Sequence, residues 1–151
     1  MTSTANLQRR KLLAAGVALA LASPAFATRE EMAAAISAFT GGAVPKAGRV
    51  KLEVAALVDN GNAVPISVAV ESPMTASDHV MAIAVFNERN PQTDVVKFTL
   101  GPRAGKALVS TRIRMATSQK LTAVARMSDG SFWSSSADVI VTLAACIEGE
   151  G

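Results

Sequence analysis

The hydrophobic pattern changes character three times along the chain. Residues 12–22 are apolar without a break. From residue 29 a helical period sets in: Met32, Ile36 and Phe39 stand at i, i+4 and i+7, on one face of a helix. Glu30 and Glu31 favour the positive end of that helix, and Gly41-Gly42 stop it. Beyond residue 49 the period becomes two. Val50, Leu52 and Val54 share one side of a strand, and so do Val64, Ile66, Val68 and Val70. The run HVMAIAVF is apolar on both parities, as expected of a central strand buried on both faces. Val96, Phe98 and Leu100 alternate with Lys97 and Thr99; Val109, Ile113 and Met115 with Arg112 and Arg114. Leu121, Ala123, Ala125 and Met127 share one face, and ADVIVTL closes the series. Turn residues separate the runs at 59–62, Asn90-Pro91, Gly101-Pro102, Gly105 and Asp129-Gly130. Seven short strands after one helix predict an all-β, immunoglobulin-like antiparallel β-sandwich with a short N-terminal helix. Pro65, inside the second strand, predicts an edge position or a bulge.

Charge changes the meaning of the first segment. Arg9, Arg10 and Lys11 precede the apolar run 12–22, and Ala25-Phe26-Ala27 follows it as an A-x-A site. This is the layout of a cleaved export leader, 1–27, too short in its apolar part to span a bilayer. The Arg9-Arg10 pair followed by Leu12-Leu13 fits the twin-arginine route, although Gln8 stands where Ser or Thr is usual. The expected location is the periplasm, with no membrane attachment once the leader is removed. The formal charge of +3 comes entirely from those three residues; the remainder is balanced at twelve basic and twelve acidic side chains. The high isoelectric point is therefore an export address and no indication of nucleic-acid binding. Residues 28–143 have the length of one domain with one core, leaving 144–151 as a tail.

Candidate chemistry is sparse. One histidine, His79, and one cysteine, Cys146, cannot make a usual zinc site, so no metal and no cofactor is expected. The serines of SDGSFWSSS have no histidine–carboxylate partner at a supportive spacing, and His79 reads as a polar residue at the start of a strand. That segment reads as a turn at 128–131 leading into a partly exposed strand. Phe132 and Trp133 must point to opposite sides of it, giving either ordinary packing of both or an aromatic anchor for a partner. Cys146 follows a strand whose inward parity is set by Val139, Val141 and Leu143, or by Ile140 if the strand is two-sided, and precedes IEGEG, which cannot extend a core. In an oxidising compartment a single cysteine leaves two uses: an intermolecular disulfide, or a free thiol on an exposed arm that visits the active sites of other proteins. Pattern alone leaves both open.

The stretches NGNAVPISVAVESPM, AVFNERNPQTDVVKFTL and VSTRIRMATSQKLTAVARMSDGSFW, with the late single cysteine, resemble the SoxY family of sulfur carriers of thiosulfate oxidation over essentially the whole chain after the leader. The resemblance implies an immunoglobulin-like domain that is not itself an enzyme. It pairs with a SoxZ subunit as a heterodimer or larger complex and bears sulfur intermediates on the Cys146 thiol. It implies as further partners a haem-containing enzyme that couples thiosulfate to the thiol, a hydrolase that releases sulfate and, in some organisms, a sulfane dehydrogenase. The tail departs from the family's usual Gly-Gly-Cys-Gly-Gly. Here the arm reads Ala144, Ala145, Cys146, Ile147, Glu148, Gly149, bulkier and stiffer than glycine. Glu148 and Glu150 crowd negative charge near the sulfur, which disfavours the thiolate and repels anionic thiosulfate. A divergent member with slower or altered loading is the expectation. The alternatives are an immunoglobulin-like interaction module or divergent paralogue whose cysteine only forms a disulfide between chains, and a related subunit that has lost carrier function through its altered tail.

Overall fold

The computed structural model describes residues 26–144. They form one α-helix, a single 3-10 turn (Pro102–Ala104) and nine strands packed as two sheets, with the α-helix on the outer face of the larger one. Helix α1 (Arg29–Thr40) begins with a capping box. Thr28 Oγ1 accepts from the Glu31 amide at 3.2 Å, and the Glu31 carboxylate accepts from the Thr28 amide at 2.8 Å. It ends where Gly41 turns left-handed at φ 65° and the Gly42 amide donates back to the Ser37 carbonyl.

The strands are β1 (Lys46–Ala47), β2 (Val50–Glu53), β3 (Leu57–Asn60), β4 (Val64–Val70), β5 (Val80–Asn87), β6 (Asp94–Thr99), β7 (Leu108–Ile113), β8 (Gln119–Met127) and β9 (Phe132–Leu143). The smaller sheet has the order β2-β4-β7. The larger has the order β1-β9-β8-β5-β6, with β3 lying along the C-terminal half of β9. All pairings are antiparallel except those of β1 and β3 with β9, which are parallel. The chain therefore crosses between sheets after β1, β2, β3, β4, β6 and β7, and one strand, β9, carries a short parallel partner at each end.

Period-two alternation builds the core between the sheets. Val64, Ile66, Val68 and Val70 of β4 face Leu121, Ala123, Ala125 and Met127 of β8 and Ile83 and Val85 of β5; nearly all are fully buried. The central strands β5 and β8 are buried on their other face too. There Ala84, Phe86 and Val124 meet Met32, Ile36 and Phe39 of α1. Phe39 packs edge-on against Phe86 and Phe132, with ring centroids 5.9 and 6.0 Å apart.

The immunoglobulin-like sandwich and the helix agree with the sequence reading. Three details refine it. Strands β1 and β3 were not expected: β1 has two residues, and β3 overlaps the turn residues of 59–62. Pro65 lies in the middle strand of its sheet, but β2 pairs with β4 only from Ser67 onward. At Pro65, β4 is thus paired on the β7 side alone, opposite Arg112, and is locally an edge. Finally, the serine run belongs to β9 itself, which reaches twelve residues. Its polarity is accommodated across strands, Ser136 and Thr122 sharing a hydroxyl hydrogen bond of 2.8 Å.

This layering sets a stability contrast. Leu121→Ala removes a wholly buried side chain between the sheets and is expected to cost about 2–5 kcal/mol. Leu57→Thr, at a side chain 59% exposed on the outside of β3, should stay within about 0.5 kcal/mol. Urea unfolding followed by circular dichroism measures both.

Candidate functional site

Cys146 lies outside the described residues, as do Ala145, Ile147, Glu148, Gly149 and the leader residues Arg9 and Arg10. What the structure describes is the strand end that precedes the cysteine in sequence. Ala144, exposed and following the end of β9, is the last described residue.

Three contacts fix the end of β9. On one side β3 pairs with it in parallel, Leu57 beside Ile140, Val58 beside Val141 and Asn60 beside Leu143. The Leu143 carbonyl, last of the strand, accepts from the Gly61 amide at 2.8 Å, and the Gly61 carbonyl accepts in turn from the Met115 amide at 2.8 Å. Thr142 Oγ1 donates to the Asp59 carbonyl at 3.0 Å. On the other side Ser118 stands in for a neighbouring strand: its hydroxyl accepts from the Val141 amide at 2.8 Å and faces the Val141 carbonyl at 3.4 Å. The inward side chains Val58 and Val141 pack on the core, and Val139 is part of it. Backbone groups that would otherwise be unmatched at a strand end are thus paired up to Leu143.

Ser118 is held by a frame of side-chain amides. Asn90 Nδ2 donates to the Arg114 carbonyl at 2.8 Å, while Asn90 Oδ1 accepts from the Ala116 amide at 3.0 Å and from Gln119 Nε2 at 2.7 Å. Gln119 Oε1 accepts from the Arg89 amide at 2.9 Å. The buried Glu88 carboxylate takes the Lys120 amide at 3.2 Å and the Arg29 guanidinium at 3.2 Å, tying the start of α1 to the same loop. Sequence reasoning did not single out Ser118, Gly61 or Asn90 as supports of the tail. Gly61 lies in a recognised turn, but its partner Leu143 is 82 residues away in sequence and no local pattern announces it.

The remaining candidates lie elsewhere. His79 immediately precedes β5, with Nδ1 3.0 Å from the Thr75 carbonyl, at the end of the sandwich opposite the root of the tail. Eight residues of β5, roughly 25 Å, lie between the two ends. Phe132 packs beneath α1, whereas Trp133 lies against the core with its indole N–H donating to Ser131 at 3.1 Å and Lys46 and Arg49 over its ring. Both aromatics are thus engaged within the domain. At the adjacent turn the Ser131 hydroxyl and amide donate to Asp129 and hold its carboxyl below the usual range. No group of three or more His, Cys, Asp or Glu among the described residues could hold a metal ion, and no described helix is long and apolar enough to cross a membrane.

Comparison with known proteins places this arrangement. The family model described as sulfur oxidation protein SoxY matches residues 36–146, from within α1 to the cysteine itself. The structure of the sulfur carrier protein SoxY from Chlorobium limicola f thiosulfatophilum superposes with a TM-score of 0.63 at 27% identity, covering 77% of this chain and all of that one. A superoxide reductase (neelaredoxin) from Ignicoccus hospitalis gives a TM-score of 0.57 at 13% identity over 76% of this chain and 94% of that one. A putative superoxide reductase from Thermotoga maritima gives 0.54 at 21% over 68% and 89%. These two likenesses show the sandwich fold alone. No curated protein matches the chain.

The supports make a measurable prediction. Ser118→Ala removes the partner of the Val141 amide and should lower stability by about 1 kcal/mol. Amide hydrogen exchange should accelerate at 140–143 and remain unchanged in β4 and β5.

Proposed function

Because the chain belongs to the SoxY family of sulfur oxidation proteins, we propose that it carries thiosulfate-derived sulfur covalently on the thiol of Cys146, in the periplasm, as one subunit of a complex with a SoxZ-like protein. The family and the fold support the general role, a sulfur carrier in sulfur oxidation. The observation that carries the particular reading is that the family match runs through the whole sandwich and ends on the single cysteine, three residues beyond a strand end tied down on both sides.

The chemistry suits a residue that works in the sites of other proteins. A thiolate is the soft nucleophile that forms and exchanges sulfur–sulfur bonds. Joining it to the terminal sulfur of thiosulfate makes one sulfur–sulfur bond and releases two electrons, which a haem-containing partner accepts. Water then cleaves the bond to the sulfonate group in a hydrolase partner, releasing sulfate and leaving a persulfide on Cys146. A sulfane dehydrogenase is a further consumer of that persulfide. The carrier's own part is to hold the sulfur and present it, which needs a firm base and a short tether. Export through the twin-arginine route, directed by Arg9 and Arg10, would deliver it already folded with its partner.

The arm Ala144, Ala145, Ile147, Glu148 and Gly149 sets the rate at which this tether is loaded. Glu148 disfavours the thiolate and repels thiosulfate, and Ala144, Ala145 and Ile147 narrow the conformations open to the backbone. In a reconstituted assay with thiosulfate, the haem-containing enzyme and the SoxZ-like subunit, Cys146→Ser should abolish thiosulfate-dependent electron release. The quadruple variant A144G/A145G/I147G/E148G should load severalfold faster than the wild type. Equal loading rates would remove the assigned influence of the arm, and electron release by Cys146→Ser would remove the carrier reading.

A further inference from the structure

The carrier reading has a geometric consequence for where other proteins must stand. Three peptide units separate Leu143, the last residue of β9, from Cys146, so the two Cα atoms cannot be more than about 11 Å apart whatever path the chain takes. The sulfur lies one short side chain further out, so any enzyme that acts on it must bring its site within about 14 Å of the strand end. Two proteins that meet in an ordinary specific interface each cover about 800 Å², a patch wider than this radius. Such an enzyme therefore covers the surface around the strand end as well as the arm.

One face of that surface is open to it. The inward face of the β3–β9 ribbon is taken by Val58, Val139 and Val141 against the core. The outward face presents Leu57 and Ile140, side by side in the parallel register and 59% and 60% exposed. Leu143, 67% exposed, sits at the tip. Helix α1 covers the same sheet face over Ala84, Phe86, Val124 and Phe132, with Lys97 against Phe39, while Leu57 and Ile140 stay exposed. Ile140 is three residues from Leu143, about 10 Å along the strand, inside the circle the tether draws. β3 is also the edge of its sheet among the described residues, pairing with β9 alone.

We propose that the Leu57–Ile140 corner is the docking surface for the enzyme that loads sulfur onto Cys146: a partner whose rim around the thiol-accepting site is apolar. The proposal rests on the carrier reading above. The corner gives a short tether an approach that the arm alone does not define. The enzyme seats on an apolar surface at the fixed strand end, and the thiol then needs only to turn into the site.

The test is Leu57→Thr/Ile140→Thr, which places a β-branched, strand-compatible residue at both positions while removing the apolar surface. The far-end control is Val44→Ser, at a residue 87% exposed beside β1. Cys146 is loaded by the haem-containing enzyme with thiosulfate and an electron acceptor, and in parallel labelled by iodoacetamide, with the SoxZ-like subunit present throughout. The expected result is enzyme-dependent loading reduced about tenfold or more in the double variant, normal in Val44→Ser, with iodoacetamide labelling and co-elution with the SoxZ-like subunit unchanged in both. Loading of the double variant at the wild-type rate overturns the docking surface and leaves the carrier reading standing. Loss of the SoxZ-like subunit from the double variant overturns it as well, assigning the corner to the permanent subunit interface. A wild type that takes up no sulfur at all overturns the carrier reading and this surface with it.

Discussion

Everything proposed for this protein depends on how firmly the end of β9 is held. A strand that ran off the sandwich unpaired would leave a long segment before Cys146 and a thiol with no defined range. Instead the strand is paired to its last residue. The Gly61 amide takes the Leu143 carbonyl, Ser118 takes the Val141 amide, and β3 runs alongside in parallel register. Each hydrogen bond is modest in net terms, about 1 kcal/mol. Together they set the point where the domain ends and the tether begins, and the number of residues after that point sets how far sulfur can travel.

The rest of the fold serves that end. The core between the sheets keeps β8 and β9 in register, and the second buried layer under α1 clamps the other face of β5 and β8. The Asn90–Gln119–Glu88 frame holds the loop that carries Ser118 and reaches back through Arg29 to the helix. The opposite end of the sandwich, with His79, Asp129 and the Trp133 cluster, is separated from the end of β9 by the length of the strands.

Much of this was legible in the sequence because strand period and burial are local. The inward sets 64, 66, 68, 70 and 121, 123, 125, 127 are buried as their alternation requires, and α1 starts and stops where its caps are. The tail thiol was read from the same kind of local signal, a lone cysteine followed by glutamates and glycines, and it lies outside the described residues. What escaped is non-local. Strand β3 has four residues and no period of its own to read; it exists because β9, over eighty positions on, offers an edge. Ser118 looks like any turn serine until Val141 is placed beside it. Pro65 was expected at an edge or a bulge and stands in a middle strand, which is locally an edge because β2 stops short. The two exposed side chains of the proposed docking corner are ordinary outward residues in their own strands, and acquire meaning only when paired.

The central claim is that Cys146 bears sulfur in passing. The most direct measurement is intact-mass and peptide-map spectrometry of the protein taken without reductant from cells oxidising thiosulfate. The account predicts reductant-labile adducts on Cys146 corresponding to added sulfur atoms or to thiosulfate, and a bare thiol once the substrate is withdrawn. A cysteine that stays unmodified during thiosulfate oxidation, or that appears only as a disulfide between two chains, would contradict it.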